Sequence, residues 1–170
     1  MDLSMSVLGW FHTAACVTAI ASMVWVIFMP KGTRLHRKVG QAFTLSILFA
    51  AVTSLGIYSR HAWTAAHWFA VVAIVSAGGG WLVARFKRPR RGWRYLHLTL
   101  MLVAAYDLIG GGVNEVYLRV NVLRHFWRDG FQVIGMTHGL VTLTFLLLIF
   151  VFLTATAVGP RLRRRAAKPA

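Results

Sequence analysis

The chain has 170 residues, of which 58% are hydrophobic and only four are acidic, and it carries a formal net charge of +15. Its mean hydropathy of +0.63 is far from that of a soluble globular protein. The basic residues lie in short clusters between apolar runs. This pattern disfavours a nucleic-acid-binding protein and indicates the charged loops of a membrane protein.

Five apolar segments follow one another along the chain, at residues 5–29, 39–59, 63–86, 96–118 and 131–157. Each reaches the ~20 residues that a helix needs to cross a hydrocarbon core of ~30 Å. We therefore predict an all-α fold, a polytopic membrane helix bundle with five transmembrane helices. Residues 1–158 would form a single domain in the lipid bilayer, and residues 159–170 a basic cytoplasmic tail. The N-terminus lacks the basic region of a signal peptide, so the first helix is expected to remain.

Most of the basic residues lie on one side of this bundle. They follow the first, third and fifth segments: Lys31, Arg34, Arg37, Lys38, Arg85, Lys87, Arg88, Arg90, Arg91, Arg94, Arg161, Arg163, Arg164, Arg165 and Lys168. Loops rich in lysine and arginine face the cytoplasm. We therefore predict a multi-pass protein of the bacterial cytoplasmic (inner) membrane, with its N-terminus outside and its C-terminus inside.

Three histidines, His12, His67 and His138, each lie a few residues inside the outer end of a different segment. A helical rise of ~1.5 Å per residue places all three roughly 6–11 Å below the outer boundary. Ionisable groups in hydrocarbon are costly and usually face the bundle interior. Because imidazole is a common metal ligand and proton carrier, we predict a ligand-binding or proton-handling site at this level. The alternative is that each histidine only forms hydrogen bonds between helices.

Other ionisable residues extend this pattern. His36 and His97 form a second level towards the cytoplasm, although His36 could instead contact anionic headgroups. Asp107 lies deep in the fourth segment, and Glu115 approaches the outer histidines from the same helix, on the face that carries His97. A carboxylate within a span needs a partner, which histidine or Arg119 would supply.

Small residues and the single cysteine complete the set of notable positions. Two glycine triplets, 78–80 and 110–112, lie in the third and fourth segments, where they favour close helix packing, a kink or room for a flat ligand. Cys16, the only cysteine, cannot form an intrachain disulfide.

The chain resembles a family of small bacterial membrane proteins known as domain of unknown function two-three-zero-six, over roughly residues 8–120. The resemblance rests on residues 9–13 (GWFHT), 30–40 (PKGTRLHRKVG) and 67–70 (HWFA), and on His97, Tyr106 and Glu115. The family has no assigned activity, so the resemblance implies a membrane protein. It also singles out His12, His67 and Glu115, whereas His138 lies beyond it.

Three functions fit these residues. The first is a redox or electron-transfer protein that binds haem b through His12, His67, His138, His97 and His36 and exchanges electrons with quinone. The second is a zinc or copper site formed by His12, His67, His138, Glu115 and Asp107. The third is a non-enzymatic subunit or assembly factor of a larger membrane complex, or a proton-coupled carrier. The residues leave open whether the protein is an enzyme.

Overall fold

The computed structural model describes residues 6–58, 65–119 and 143–147. Four long helices lie in these ranges: α1 (Val7–Phe28), α2 (Arg34–Tyr58), α3 (Ala65–Phe86) and α4 (Trp93–Arg119). The chain divides into two units, Met1–Arg124 and His125–Ala170, and the first contains all four helices. Residues 143–147 are helical. The rest of the predicted fifth segment and the basic tail lie outside the described residues, so the fifth span stays a prediction.

The four helices pack as a ring in which each contacts two neighbours. Contacts join α1 with α2, α2 with α3, α3 with α4, and α4 with α1. Helices α1 and α2 run antiparallel, since Leu8 lies beside Gly56 and Val26 beside Gly40. The diagonal pairs of the ring are therefore α1 with α3 and α2 with α4.

All four helices are long and apolar enough to cross a membrane, over Val7–Phe28, Arg34–Ile57, His67–Phe86 and Trp93–Val113. Large apolar side chains such as Trp25, Phe28 and Val75 point away from the bundle and are 60%, 82% and 64% exposed. Such an exterior is unfavourable in water and is typical of a surface that contacts lipid. The protein is therefore a multi-pass helical membrane protein.

The interior of the bundle is built from small side chains. Nine of the fourteen buried apolar residues in the described part of the chain are alanines: Ala15, Ala19, Ala50, Ala51, Ala70, Ala73, Ala77, Ala104 and Ala105. Small residues let helix backbones approach closely where lipid provides no hydrophobic drive for association. Among the described glycines, Gly80 has the tightest surroundings, because an added Cβ would lie 2.6 Å from Met101 Sδ and 3.3 Å from Leu100 Cβ.

The structure changes two expectations about helix boundaries. Helix α2 begins at Arg34 rather than at residue 39, and α4 begins at Trp93 rather than at residue 96. His36 therefore lies in the first turn of α2 and not in a loop. Hydropathy missed these turns because their charged side chains extend along the helix towards water, while the backbone is already helical. Both glycine triplets lie inside continuous helices, so neither breaks its helix.

The described basic residues cluster at one end of the bundle. We call the end that contains residues 29–33 and 87–92 the loop end, and the opposite end the His12 end. Every basic side chain that the structure describes lies at the loop end, and all ten are exposed: Lys31, Arg34, Arg37, Lys38, Arg85, Lys87, Arg88, Arg90, Arg91 and Arg94. The side chains of the four remaining basic residues, Arg60, Arg119, Arg124 and Arg128, lie outside the described part of the chain, so the charge asymmetry between the two ends stays a prediction.

Candidate functional site

His12 of α1 is held by helix α2. Its Nδ1 atom lies 2.9 Å from the carbonyl oxygen of Ala50 and 3.0 Å from Thr53 Oγ1. A carbonyl oxygen only accepts hydrogen bonds, so Nδ1 carries the proton and donates it. The hydroxyl of Thr53 donates to backbone carbonyls of its own helix, which leaves its oxygen free to accept from His12. These bonds fix the tautomer and leave the Nε2 lone pair for another partner.

That partner is the thiol of Cys16, one helical turn further along α1. Its Sγ atom lies 3.6 Å from His12 Nε2. Because Nε2 is unprotonated, the thiol is the donor in this contact. Cys16 is half-buried. The spacing of four residues places Cys16 on the same helix face as His12, but the sequence alone does not show that the two side chains meet.

His67 is buried in the first turn of α3 and is only 4% exposed. Gly78 of the same helix lies beside Leu48 of α2. Gly78 and Leu48 therefore lie at the same level of the bundle. Counted from that level at a rise of ~1.5 Å per residue, His67 lies about 9 Å nearer the His12 end than Thr53, which bonds to His12. His138 lies outside the described residues, so the grouping of His12, His67 and His138 in one site stays a prediction.

At the loop end, His97 of α4 is held by α3 in the same way as His12 is held by α2. Its Nδ1 atom lies 2.8 Å from the carbonyl oxygen of Gly80. Nδ1 is again the donor, and Nε2 keeps its lone pair. Gly80 makes this bond possible, because it lets α4 approach α3 closely at the level of Leu100.

His36 of α2 lies near His97. The two imidazoles are within range of electrostatic interaction, and His36 also forms a hydrogen bond with the backbone of Val26. Its Nδ1 atom is buried and has no hydrogen-bond partner among the described residues. The bond to Val26 therefore involves Nε2, and the lone pair of Nδ1 remains unused. An unpaired polar atom inside a protein costs ~1–3 kcal/mol, which makes this position a candidate for a missing ligand.

The loop end thus brings together two of the predicted site residues from opposite corners of the ring. His36 belongs to α2 and His97 to α4, which form a diagonal pair of helices. Each imidazole has one ring nitrogen bonded to backbone and one nitrogen unused. Metal-binding histidines are commonly oriented in this way, by a carbonyl that accepts from the nitrogen that does not bind the metal.

The predicted carboxylates are not joined to the histidines in the described part of the chain. Asp107 is buried in α4, 8% exposed, and forms no hydrogen bond or ion pair with another described residue. The side chain of Glu115 lies outside the description. Among the described side chains, no three histidine, cysteine or acidic residues converge in a way that could hold a metal ion. The five-residue zinc or copper site stays untested, since His138 and Glu115 are two of its members.

Comparisons with known proteins give one match. The chain is 27% identical, over 111 aligned positions, to the probable manganese efflux pump MntP of Escherichia coli O7:K1 (strain IAI39 / ExPEC). The alignment covers 55% of this chain and 59% of the length of the pump. No protein-family model matches the chain, so the resemblance to the family of unknown function stays a prediction. No solved structure matches it either.

Proposed function

We propose that this protein is a redox protein of the bacterial cytoplasmic membrane that binds haem b at the loop end through His36 and His97. The observation that carries the proposal is the pair of imidazoles on α2 and α4, each with an unused ring nitrogen. Haem iron takes axial ligands from facing helices, and histidine is a usual one. The basic residues described at this end support a cytoplasmic location for it.

The residues around the pair fit such a group. The unpaired Nδ1 of His36 indicates a missing partner at this position. The carbonyl of Gly80 fixes the tautomer of His97 and increases its basicity as a ligand. When bound, the haem would supply one-electron transfer. The helices would exclude water and orient both imidazoles, which together with hydrogen bonding sets the reduction potential.

The His12 end would hold further ligands in this proposal. The imidazole of His12 is oriented in the same way as that of His97, because its Nδ1 atom bonds to a backbone carbonyl. The sequence predicts that His12 shares a site with His67 and His138. A second haem at this end, and quinone as the electron partner, belong to the proposal on the basis of the sequence pattern.

An absorption spectrum of the purified membrane protein, expressed with added haem precursor, tests the proposal. We expect a Soret band and reduced α and β bands typical of low-spin haem with two histidine ligands. The variants His36→Ala and His97→Ala should each lose the haem of the loop end. The variant His61→Ala is the matched control, because the sequence places His61 in a loop. A protein without a Soret band under these conditions would contradict the proposal.

A second candidate is the transport of a transition-metal cation, and the similarity to a manganese efflux pump favours it. Mn²⁺ prefers carboxylate, carbonyl and water ligands. The one carboxylate described within the spans is Asp107, which is buried. The nitrogen and sulfur donors of His12 and Cys16 suit a softer cation, zinc or copper(I), better than manganese.

The manganese content of cells distinguishes a metal exporter from a haem protein. Cells that lack their own manganese exporter, and that produce this protein, should accumulate less manganese if it is a pump. The variant Asp107→Asn should abolish that effect, whereas His97→Ala should not. If the haem proposal is correct, Asp107→Asn leaves the Soret band intact and metal accumulation does not depend on the protein.

A further inference from the structure

The connection between α1 and α2 is a hydrogen-bonded turn that leads directly to His36. The Nζ atom of Lys31 donates to the carbonyl oxygens of Val26 at 2.8 Å and Ile27 at 2.7 Å. These two carbonyls belong to the last turn of α1, where no further helical N–H group is available to bond them. Lys31 therefore caps α1, and its positive charge lies at the negative end of the helix dipole.

The next residues of the turn begin α2. The Oγ1 atom of Thr33 accepts a hydrogen bond from the backbone N–H of His36 at 3.1 Å and donates to the carbonyl of Pro30 at 3.1 Å. Thr33 is thus the N-cap of α2. Gly32 has φ +83°, a left-handed conformation that favours glycine and turns the chain between the two caps. The turn thereby fixes the first helical turn of α2, in which His36 lies.

Lys31 and His36 meet at the same place on α1. Both bond to the backbone of Val26, and the charge of Lys31 acts on the His36 imidazole. Partial burial lowers the pKa of the Lys31 ammonium, which shows that this charge is partly removed from water. Lys31 and Lys38 are both exposed, but only the ammonium group of Lys31 is held by two carbonyl oxygens at the end of α1.

We propose that Lys31 is a positioning residue for His36, and that its charge raises the reduction potential of the haem that His36 binds. This inference rests on the proposed function. Reduction of haem iron adds one electron, so a fixed positive charge nearby stabilises the reduced form relative to the oxidised form. The capping bonds of Lys31 and Thr33 hold His36 against α1, and the ammonium group lies beside it as a permanent charge.

Redox titration of the purified protein tests this with variants that separate charge from capping. Lys31→Gln keeps a side-chain N–H that can reach the carbonyls but removes the charge, whereas Lys31→Arg keeps the charge. We expect a more negative midpoint potential for one haem in Lys31→Gln and a potential near that of the wild type in Lys31→Arg. Lys38→Met removes an exposed charge from the same end and should leave the potential unchanged.

The outcomes separate this inference from the haem proposal. If the wild type has no Soret band, the haem proposal fails. If the wild type binds haem and Lys31→Gln titrates as the wild type does, the role of Lys31 is overturned while the haem proposal stands. An equal shift in Lys31→Gln and Lys38→Met also overturns it, because the effect would then be that of net charge. If Lys31→Gln does not fold, Thr33→Ala tests positioning: an unchanged low-spin electron paramagnetic resonance spectrum would contradict it.

Discussion

The two ends of the bundle contain the same hydrogen-bonded arrangement of a histidine, but the surroundings of that histidine differ. At each end, one imidazole donates from Nδ1 to a backbone carbonyl of the neighbouring helix, His12 to Ala50 and His97 to Gly80. At the His12 end, the free nitrogen meets the thiol of Cys16 on the same helix. At the loop end, the second imidazole, His36, belongs to the opposite helix. An oriented imidazole is thus common to both ends, and only at the loop end is a second imidazole described close to it.

The largest effect is expected at Gly80, where the loop end depends on close packing. The Cβ of a valine would lie 2.6 Å from Met101 Sδ and 3.3 Å from Leu100 Cβ, so the flexible methionine side chain would have to move and Leu100 would have to shift slightly. Overpacking of this kind costs ~1–3 kcal/mol. We expect Gly80→Val to lower the thermal midpoint in detergent and to weaken the bond between His97 and the Gly80 carbonyl.

Gly111 of the second triplet provides the control for this prediction. An added Cβ at Gly111 would meet no atom of the described residues within 4 Å. Alanine is favoured over glycine in a helix by ~0.5–1 kcal/mol, so Gly111→Ala should be neutral or slightly stabilising. If Gly80→Val and Gly111→Val lowered the stability equally, the prediction that only Gly80 packs closely against a neighbouring helix would be wrong.

The glycines illustrate how far sequence predicts this fold. Span length and charge clusters predicted the four described helices, since each property is local and is imposed by the bilayer. The two triplets have the same composition, yet an added Cβ at Gly80 would meet Met101 and Leu100, whereas at Gly111 and Gly112 it would meet no described atom within 4 Å, although Gly110 is buried. Which of them contacts a neighbouring helix depends on helix rotation, which the sequence pattern leaves undetermined.

The candidate site shows a similar division between what the sequence predicts and what it does not. His67 is buried, and His12 and His97 bond to neighbouring helices, so these three histidines face the bundle, while their membership of a binding site stays a prediction. The roles of Lys31 and Thr33 were missed, because a basic residue and a threonine in a turn also occur in ordinary cytoplasmic loops. Only the distances to the helix ends reveal their capping bonds.

The next largest loss of stability is expected from removing the helix N-caps, one at each end of the bundle. Ser6 accepts from the N–H of Gly9 at the start of α1, and Thr33 accepts from that of His36 at the start of α2. Loss of an N-cap costs ~0.5–2 kcal/mol. We expect Ser6→Ala and Thr33→Ala to reduce stability by similar amounts, whereas only Thr33→Ala should alter the haem spectrum. Thr33→Ser should restore it, and a spectral change in Ser6→Ala would argue against a specific role of the loop end.

A smaller effect is expected from the interhelical hydrogen bonds themselves. Bonds of this kind within membranes contribute ~0.6 kcal/mol on average. In the protein without haem, His12→Leu and His97→Leu should therefore reduce stability by similar, small amounts. With haem bound, His97→Leu should cost more, because it also removes a ligand and with it the stabilisation that binding provides. Thermal unfolding with and without haem measures the stability lost in each variant. If His12→Leu and His97→Leu lost the same stability with haem bound, the assignment of His97 as a ligand would be contradicted.

The smallest effect concerns Cys16, which distinguishes the His12 end. Serine in its place keeps a donor towards His12 Nε2, whereas alanine removes it. We expect Cys16→Ser to change stability by only a few tenths of a kcal/mol, and Cys16→Ala by slightly more, because thiol hydrogen bonds are weak. Nitrogen NMR of His12 should show a protonated Nδ1 in both variants, since the Ala50 carbonyl fixes the tautomer. A shift of the proton to Nε2 in Cys16→Ala would mean that the thiol, and not the neighbouring helix, orients this imidazole.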